Sequence, residues 1–159
     1  MMARGTLLFL ILITAPYLRS SCQTIGFENI EELQKSEKRP VLVFIQTGWC
    51  KYCGSMKQSL LRNAEISTLL GKKFYVVSLD GEEKKAVSFA GREFRYKPTG
   101  KNTGVHELAA ELGTVNGQLS YPVICFLNQK NEIIYQYAGY LNPEALMKVL
   151  TAVDGSYGK

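Results

Sequence analysis

The sequence has few of the residues on which hydrolases and disulfide-rich domains depend. It contains one histidine, His106, and four cysteines among 159 residues. A single histidine argues against Ser-His-Asp and Cys-His hydrolase chemistry, and we expect His106 to lie on the surface. Four cysteines are too few for a small secreted domain held by many disulfides. With 46% hydrophobic and 21% charged residues, the chain instead has the composition of an ordinary globular domain.

The net positive charge of the chain is small once the N-terminal residues are left out. The formal net charge is +5, and residues 1–21 contribute Arg4 and Arg19 but no acidic residue. Removing these two from the 19 basic residues leaves 17 against 14 acidic ones, a net charge of +3. This excess is too small to indicate a nucleic-acid-binding protein.

The N-terminus has the layout of an export signal. Arg4 precedes an almost wholly apolar run over residues 6–17, which is short for a membrane span, and small residues lead to Cys22. We predict a signal peptide over residues 1–22, a domain over 23–154 and a tail over 155–159. A lipoprotein signal that ends before Cys22 is an alternative, although Arg19 occupies a place that is usually aliphatic. An uncleaved anchor is another.

Two of the cysteines lie where a strand leads into a helix. Residues 41–45 are all apolar, as in a buried strand, and residues 55–61 have helical spacing. Between them, Cys50 is predicted at the helix N-terminus, where free N–H groups and the macrodipole favour a nucleophilic thiolate. Cys53, one turn later, could close a disulfide on Cys50. Cys125 lies alone in an apolar run and is expected to be a buried small hydrophobe.

Other uses of a Cys-x-x-Cys pair find little support in the sequence. A second pair at zinc-ligand spacing is absent, which disfavours a structural zinc site. Gly54 stands where a c-type haem attachment needs a histidine. A structural disulfide stays open as an alternative to a redox-active one, although so small a loop contributes little stability. We predict neither a metal nor a bound cofactor.

Hydrophobic spacing predicts alternating strands and helices along the rest of the chain. We predict five helices: residues 28–38, a helix from Cys50 and Cys53 to residue 62, and residues 63–70, 105–112 and 145–153. We predict strands over residues 41–46, 73–80, 123–127 and 132–137. Gly71 and Gly113 are expected to end helices, and residues 114–120 to form a polar loop.

Residues 82–101 interrupt this alternation. Val87 and Phe89 before Ala90-Gly91, and Phe94 and Tyr96 after it, alternate with polar neighbours, so we predict an inserted β-hairpin. Its basic residues outnumber the acidic ones, which fits a solvated face. A docking surface for an acidic partner is the alternative.

The motif Trp49-Cys50-Lys51-Tyr52-Cys53 after a buried strand, the pair Tyr121-Pro122 and Gly139 after the last strand resemble the thioredoxin-like superfamily. The resemblance covers residues 28–153 and is strongest to exported bacterial thioredoxin-related proteins, including envelope dithiol reductases and cytochrome-maturation helpers. It implies an α/β fold, a central mixed β-sheet flanked by helices, with the inserted hairpin before the strand that Pro122 opens as a cis-proline.

The resemblance also implies a function and a site. Cys50 would attack a substrate disulfide and Cys53 would resolve the mixed disulfide. Trp49, Lys51, Tyr52, Tyr121 and Pro122 would contact the substrate, although Trp49 could equally be a packing residue. We predict an extracytoplasmic monomer that reduces disulfides of periplasmic proteins. A dithiol protein would act as the electron donor that reduces Cys50 and Cys53 again. A non-catalytic binding module of the envelope, with or without a lipid anchor, is the alternative.

Two departures from thioredoxin leave the direction of exchange open. Phe44 and Val76 take the places of the buried acid and the lysine that are thought to assist the resolving cysteine in thioredoxin. Lys51 and Tyr52 replace Gly-Pro between the cysteines. Potentials in the superfamily range from about −270 to about −120 mV, so the motif alone does not tell a reductase from an oxidant.

Overall fold

The computed structural model describes residues 22–157. The predicted signal peptide therefore lies outside the described residues, apart from Cys22. None of the helices between residues 22 and 157 combines the length and the apolar character that a membrane crossing needs.

The fold has eleven strands and five α-helices in the described residues. In chain order the elements are β1 (Thr24–Ile25), α1 (Ile30–Ser36), β2 (Val41–Gln46), α2 (Lys51–Arg62), α3 (Ala64–Lys73), β3 (Tyr75–Asp80), β4 (Val87–Phe89), β5 (Arg92–Phe94), β6 (Tyr96–Pro98), β7 (Gly104–His106), α4 (Glu107–Gly113), β8 (Thr114–Val115), β9 (Gln118–Leu119), β10 (Val123–Leu127), β11 (Ile133–Ala138) and α5 (Pro143–Tyr157). A 3-10 turn, Phe27–Asn29, precedes α1.

The predicted mixed sheet is confirmed. Its strand order is β1-β3-β2-β10-β11, in which β1, β3 and β2 are parallel and β10 and β11 are antiparallel to their neighbours. Strand β2 is central, and Val41 through Ile45 are all buried. Helices cover both of its faces, which is why its sequence is a continuous apolar run rather than an alternating one.

Alternation along the strands divides the core into two layers. Leu42 and Phe44 of β2 face the side covered by α2, α3 and α5. Val43 and Ile45 face the opposite side, where α1, α4 and two phenylalanines of the insertion pack. Successive residues of a strand point to opposite faces, so β2 contributes to both layers.

Asparagine side chains cap two of the helices. Asn63 Oδ1 accepts hydrogen bonds from the N–H groups of Glu65 and Ile66 at 3.1 and 3.0 Å, and Asn142 caps α5 in the same way through Ala145 N at 2.8 Å. Such caps satisfy N–H groups that the helix itself cannot use.

Several boundaries differ from the predictions. Gly71 does not end α3, which continues to Lys73, and α4 begins at Glu107 because Val105 belongs to a strand. The expected polar loop over 114–120 contains the strands β8 and β9. Helix α5 continues to Tyr157, into residues predicted as a tail.

The insertion is a pair of two-stranded ribbons rather than a single hairpin. Strand β4 pairs with β5, with Val87 opposite Phe94, whereas Tyr96 belongs to a second ribbon of β6 and β7. Three basic residues of the insertion are engaged by carboxylates: Arg92 contacts Glu111, Arg95 contacts Glu93 and Lys97 contacts Glu107. This pairing favours the solvated-face interpretation over an acidic docking partner.

Candidate active site

Cys50 and Cys53 form a disulfide at the start of α2. Cys50 is the N-cap residue of this helix, and its Sγ accepts a hydrogen bond from Cys53 N at 3.2 Å. The helix has no acidic residue in its first turn. In the reduced protein this N–H group and the helix dipole would stabilise a thiolate at Cys50. The predicted placement at the helix N-terminus is therefore confirmed.

The two sulfurs differ in their exposure. Cys50 is partly exposed, whereas Cys53 is only 1% exposed and packs in the layer that contains Phe44 and Met56. An incoming sulfur can therefore approach Cys50 but not Cys53. This asymmetry divides the work between an attacking and a resolving residue.

The other two cysteines are not reactive thiols in this fold. Burial raises the pKa of Cys125 to about 12 and the pKa of Cys22 to about 11. Cys125 is fully buried on β10, as the apolar run predicted. Because the thiolate is the nucleophilic form, neither thiol competes with Cys50 near neutral pH.

The Tyr121–Pro122 peptide bond is cis. Pro122 is buried, and its carbonyl accepts a hydrogen bond from Gly139 N at 2.8 Å. Gly139 has a φ of +125°, which is unfavourable for residues with a side chain. The Pro122 segment and the end of β11 are thus held together beside the start of α2.

Aromatic side chains flank the disulfide in two contacting pairs. Trp49 packs edge-to-face on Tyr121 with ring centroids 5.9 Å apart, and Tyr52 lies 5.9 Å from Tyr140. Trp49 and Tyr52 are 67% and 66% exposed, and Tyr140 is 41% exposed. So much exposed aromatic surface beside a reactive group is typical of a binding site.

The structure brings the sequence-predicted site residues together. Trp49 and Tyr121 are in contact, Pro122 directly follows Tyr121, and the exposed Lys51 and Tyr52 occupy the first turn of α2. Tyr140 was not among the site residues predicted from the sequence. Its position directly after Gly139 was the available signal, because a loop at the same sheet edge as the motif can reach it.

Gly81 is a second site residue that was not predicted from the sequence. Its N–H donates to Gln46 O at 2.7 Å, which extends the pairing of β3 with β2 towards the motif. A Cβ atom at this position would lie 2.2 Å from the Tyr121 hydroxyl, so only glycine allows the tyrosine to lie there. Burial, followed by the charges of Glu82 and Asp80, raises the pKa of Tyr121.

The prediction for His106 was wrong. His106 is fully buried rather than on the surface, and its Nδ1 accepts a hydrogen bond from Leu108 N at 3.3 Å. It therefore caps α4, and its strand β7 pairs with β6 of the insertion, where His106 lies opposite Tyr96. Within the described residues, no three His, Cys, Asp or Glu side chains are placed to hold a metal ion.

Comparisons with known proteins agree with this arrangement. A family model described as a thioredoxin-like domain matches residues 27–154. No curated protein matches the sequence. The structure is similar to that of the DsbH oxidoreductase, with a TM-score of 0.60 and 16% identity over 98% of this chain and 95% of that chain.

Two further solved structures show the same fold. A disulphide isomerase from Xylella fastidiosa Temecula1 has a TM-score of 0.54 and 20% identity over 79% of this chain and 86% of that one. The germline-specific thioredoxin Deadhead from Drosophila melanogaster has a TM-score of 0.53 and 14% identity over 82% and 98%. At these identities the likeness concerns the fold alone.

Proposed function

This chain belongs to the thioredoxin-like domain family, and from that premise we propose that it reduces disulfides of proteins outside the cytoplasm. The fold and the Cys50–Cys53 disulfide are those of a thiol–disulfide oxidoreductase. One observation carries the proposal: the partly exposed Cys50 caps α2 and is bonded to a buried Cys53, beside the cis-Pro122 segment.

The reaction follows from the different surroundings of the two sulfurs. The Cys50 thiolate attacks a substrate disulfide, forms a mixed disulfide and expels one substrate thiolate, which takes up a proton. Cys53 then loses its proton and attacks Cys50 Sγ. The second substrate sulfur leaves as a thiolate. The substrate disulfide has then gained two electrons, and the Cys50–Cys53 dithiol has lost them to become a disulfide. A donor dithiol protein restores the reduced pair by the same exchange.

The direction of exchange is argued from what stabilises the reduced form. A strong oxidant needs an exceptionally stable thiolate. Here Cys50 Sγ accepts one backbone N–H group, and the neighbouring Lys51 is exposed to water, which screens its charge. These features support the reducing end of the range.

A measured potential tests the direction. Equilibration with glutathione buffers, followed by separation of the reduced and oxidised forms, should place the Cys50–Cys53 couple nearer to about −270 mV than to about −120 mV. A value at the upper end would make the protein an oxidant and overturn the reductase proposal.

Export is part of the proposal and rests on the N-terminal sequence. Cys22 is 8% exposed and packs with the layer that contains Cys53, so a lipid chain on its sulfur would have to displace core contacts. This burial supports export without lipidation. Expression of the full chain in a bacterium with a periplasm, followed by mass spectrometry, should show a cleaved, unlipidated N-terminus in the periplasmic fraction. A protein that stays in the cytoplasm with Met1 intact would contradict export. A mass higher by that of a lipid would contradict export without lipidation.

Tyr140 is expected to bind protein substrates without taking part in the exchange. Tyr140→Ala removes one ring of the exposed Tyr52–Tyr140 pair, and an aromatic contact of this kind contributes about 1 kcal/mol. The KM for a protein disulfide should therefore rise by about fivefold, with little change in the rate with a small aromatic disulfide reagent.

Ile133→Ala is the matched control for Tyr140→Ala. Ile133 is 43% exposed, close to the value for Tyr140, and lies at the far end of β11. It should leave both rates unchanged. Equal KM values for Tyr140→Ala and Ile133→Ala would show that the aromatic pair does not bind substrate.

A further inference from the structure

Three buried polar atoms without a hydrogen-bond partner belong to residues grouped around Gly81. They are Thr47 Oγ1, His106 Nε2 and Tyr121 Oη. Gly81 O accepts a hydrogen bond from His106 N at 2.8 Å, and Gly81 N is bonded to Gln46, the residue before Thr47. The Tyr121 hydroxyl lies against the Gly81 Cα. Groups buried in this way are nearly always satisfied in folded proteins.

The hydrogen bond at Nδ1 fixes the proton on the other nitrogen of His106. Because Nδ1 accepts from Leu108 N, it carries no proton, and the neutral ring holds its proton at Nε2. With His106 fully buried, this N–H is a donor that needs an acceptor. The hydroxyls of Thr47 and Tyr121 can each accept as well as donate.

Thr47 and Tyr121 both contact the chain at or next to Cys50. Thr47 O accepts a hydrogen bond from Cys50 N at 3.2 Å. The Tyr121 ring packs on Trp49, the residue before Cys50, and Tyr121 precedes the cis-Pro122. A link between their two hydroxyls would therefore fix the Cys50 backbone from one side and the Pro122 segment from the other.

We propose that His106 is a positioning residue of the redox site, which joins Thr47 and Tyr121 through a buried water at Gly81 and so holds Trp49 and Pro122 against Cys50. One donor and two hydroxyls are a set that a single water satisfies, and buried waters occupy polar sites of this kind. His106 does not touch the substrate. The effect on exchange rests on the proposed function, whereas the linkage of the three side chains does not.

Trp49 offers a direct readout because it is the only tryptophan of the chain and packs on Tyr121. His106→Asn keeps an acceptor for Leu108 N, as asparagine is a good cap, but removes the Nε2 donor. We expect a change in Trp49 emission in both redox states. We expect the link to hold the oxidised and reduced forms unequally, because Cys50 Sγ is bonded to Cys53 in one form and free in the other. The equilibrium constant with glutathione, which responds only to this difference, should change by about threefold, less than the whole contribution of one buried hydrogen bond.

Asn63→Ala serves as the control for a merely structural effect. It removes the cap of α3, at the end of α2 remote from Cys50, and costs stability of a similar size. Its emission and glutathione equilibrium should match those of the wild type. If His106→Asn lowers the melting temperature as Asn63→Ala does and moves neither readout, the proposal is overturned.

Tyr121→Phe keeps the test decisive if His106→Asn does not fold. It removes only the hydroxyl, so it should move Trp49 emission and the equilibrium in the same direction as His106→Asn. Where both variants fold, the double variant should shift little further than either single one. Additive shifts, or a silent Tyr121→Phe, would overturn the proposal. A wild type without exchange activity would contradict the proposed function and leave the emission test in force.

Discussion

Serine in place of Cys50 should abolish disulfide reduction, lowering the rate by on the order of a thousandfold or more, to that of the thiol donor alone. The hydroxyl is not ionised near neutral pH, even at a helix N-terminus, and it cannot form a mixed disulfide. The buried Cys53, at 1% exposure, does not replace it, because a substrate sulfur cannot reach it. A coupled assay with a protein disulfide and a thiol donor measures the effect.

Cys53→Ala is the matched variant, since it removes the other sulfur and leaves the nucleophile intact. It should form mixed disulfides with substrates through Cys50 and release them slowly, because no resolving sulfur remains. The trapped species can be separated on non-reducing gels and then identified by mass spectrometry. Equal activity of the wild type and Cys50→Ser would contradict an enzymatic function. If no trapped species were found either, the non-catalytic binding module would be the better interpretation.

The elements that position the disulfide could be predicted because their signals are local. The apolar run of β2 and the helical spacing of α2 lie within a few residues of the motif, and Asn63 marks the start of α3 by its own side chain. Strand β1, only Thr24–Ile25, has no such pattern and is fixed by pairing with β3. Local signals thus predicted the long elements and missed the two-residue strands β1, β8 and β9.

His106 shows why burial could not always be predicted from periodicity. Helical spacing over residues 105–112 placed His106 off the apolar face, but the chain is still extended there, paired with Tyr96 in the β6–β7 ribbon. Its backbone N–H is bonded to Gly81 O, 25 positions earlier in the sequence, a contact that local periodicity does not show. The same reason applies to Tyr140, which reaches Tyr52 because the sheet brings the start of α2 and the loop after β11 to one end.

The second large effect is expected at Phe44, which the resemblance to thioredoxin places at the position of a buried acid. Phe44 is 2% exposed in the central strand β2, opposite Ile124 of β10, and it packs in the layer that holds Cys53. Phe44→Asp would remove a large apolar side chain and bury a carboxyl group. The cavity and the desolvated carboxyl together should cost at least about 4 kcal/mol, against a total stability of about 5–15 kcal/mol for a domain.

Thermal unfolding followed by circular dichroism should therefore show Phe44→Asp melting about 15 °C below the wild type, or not folding at all. Phe44→Leu, which keeps most of the apolar volume, should cost about 1 kcal/mol and retain exchange activity. A stable Phe44→Asp with faster exchange would mean that water and charge reach the surroundings of Cys53. The expected loss instead means that the apolar packing around Phe44 does not tolerate a carboxylate. Since phenylalanine has no group that accepts a proton, the proton of Cys53 leaves by a route that does not pass through this position.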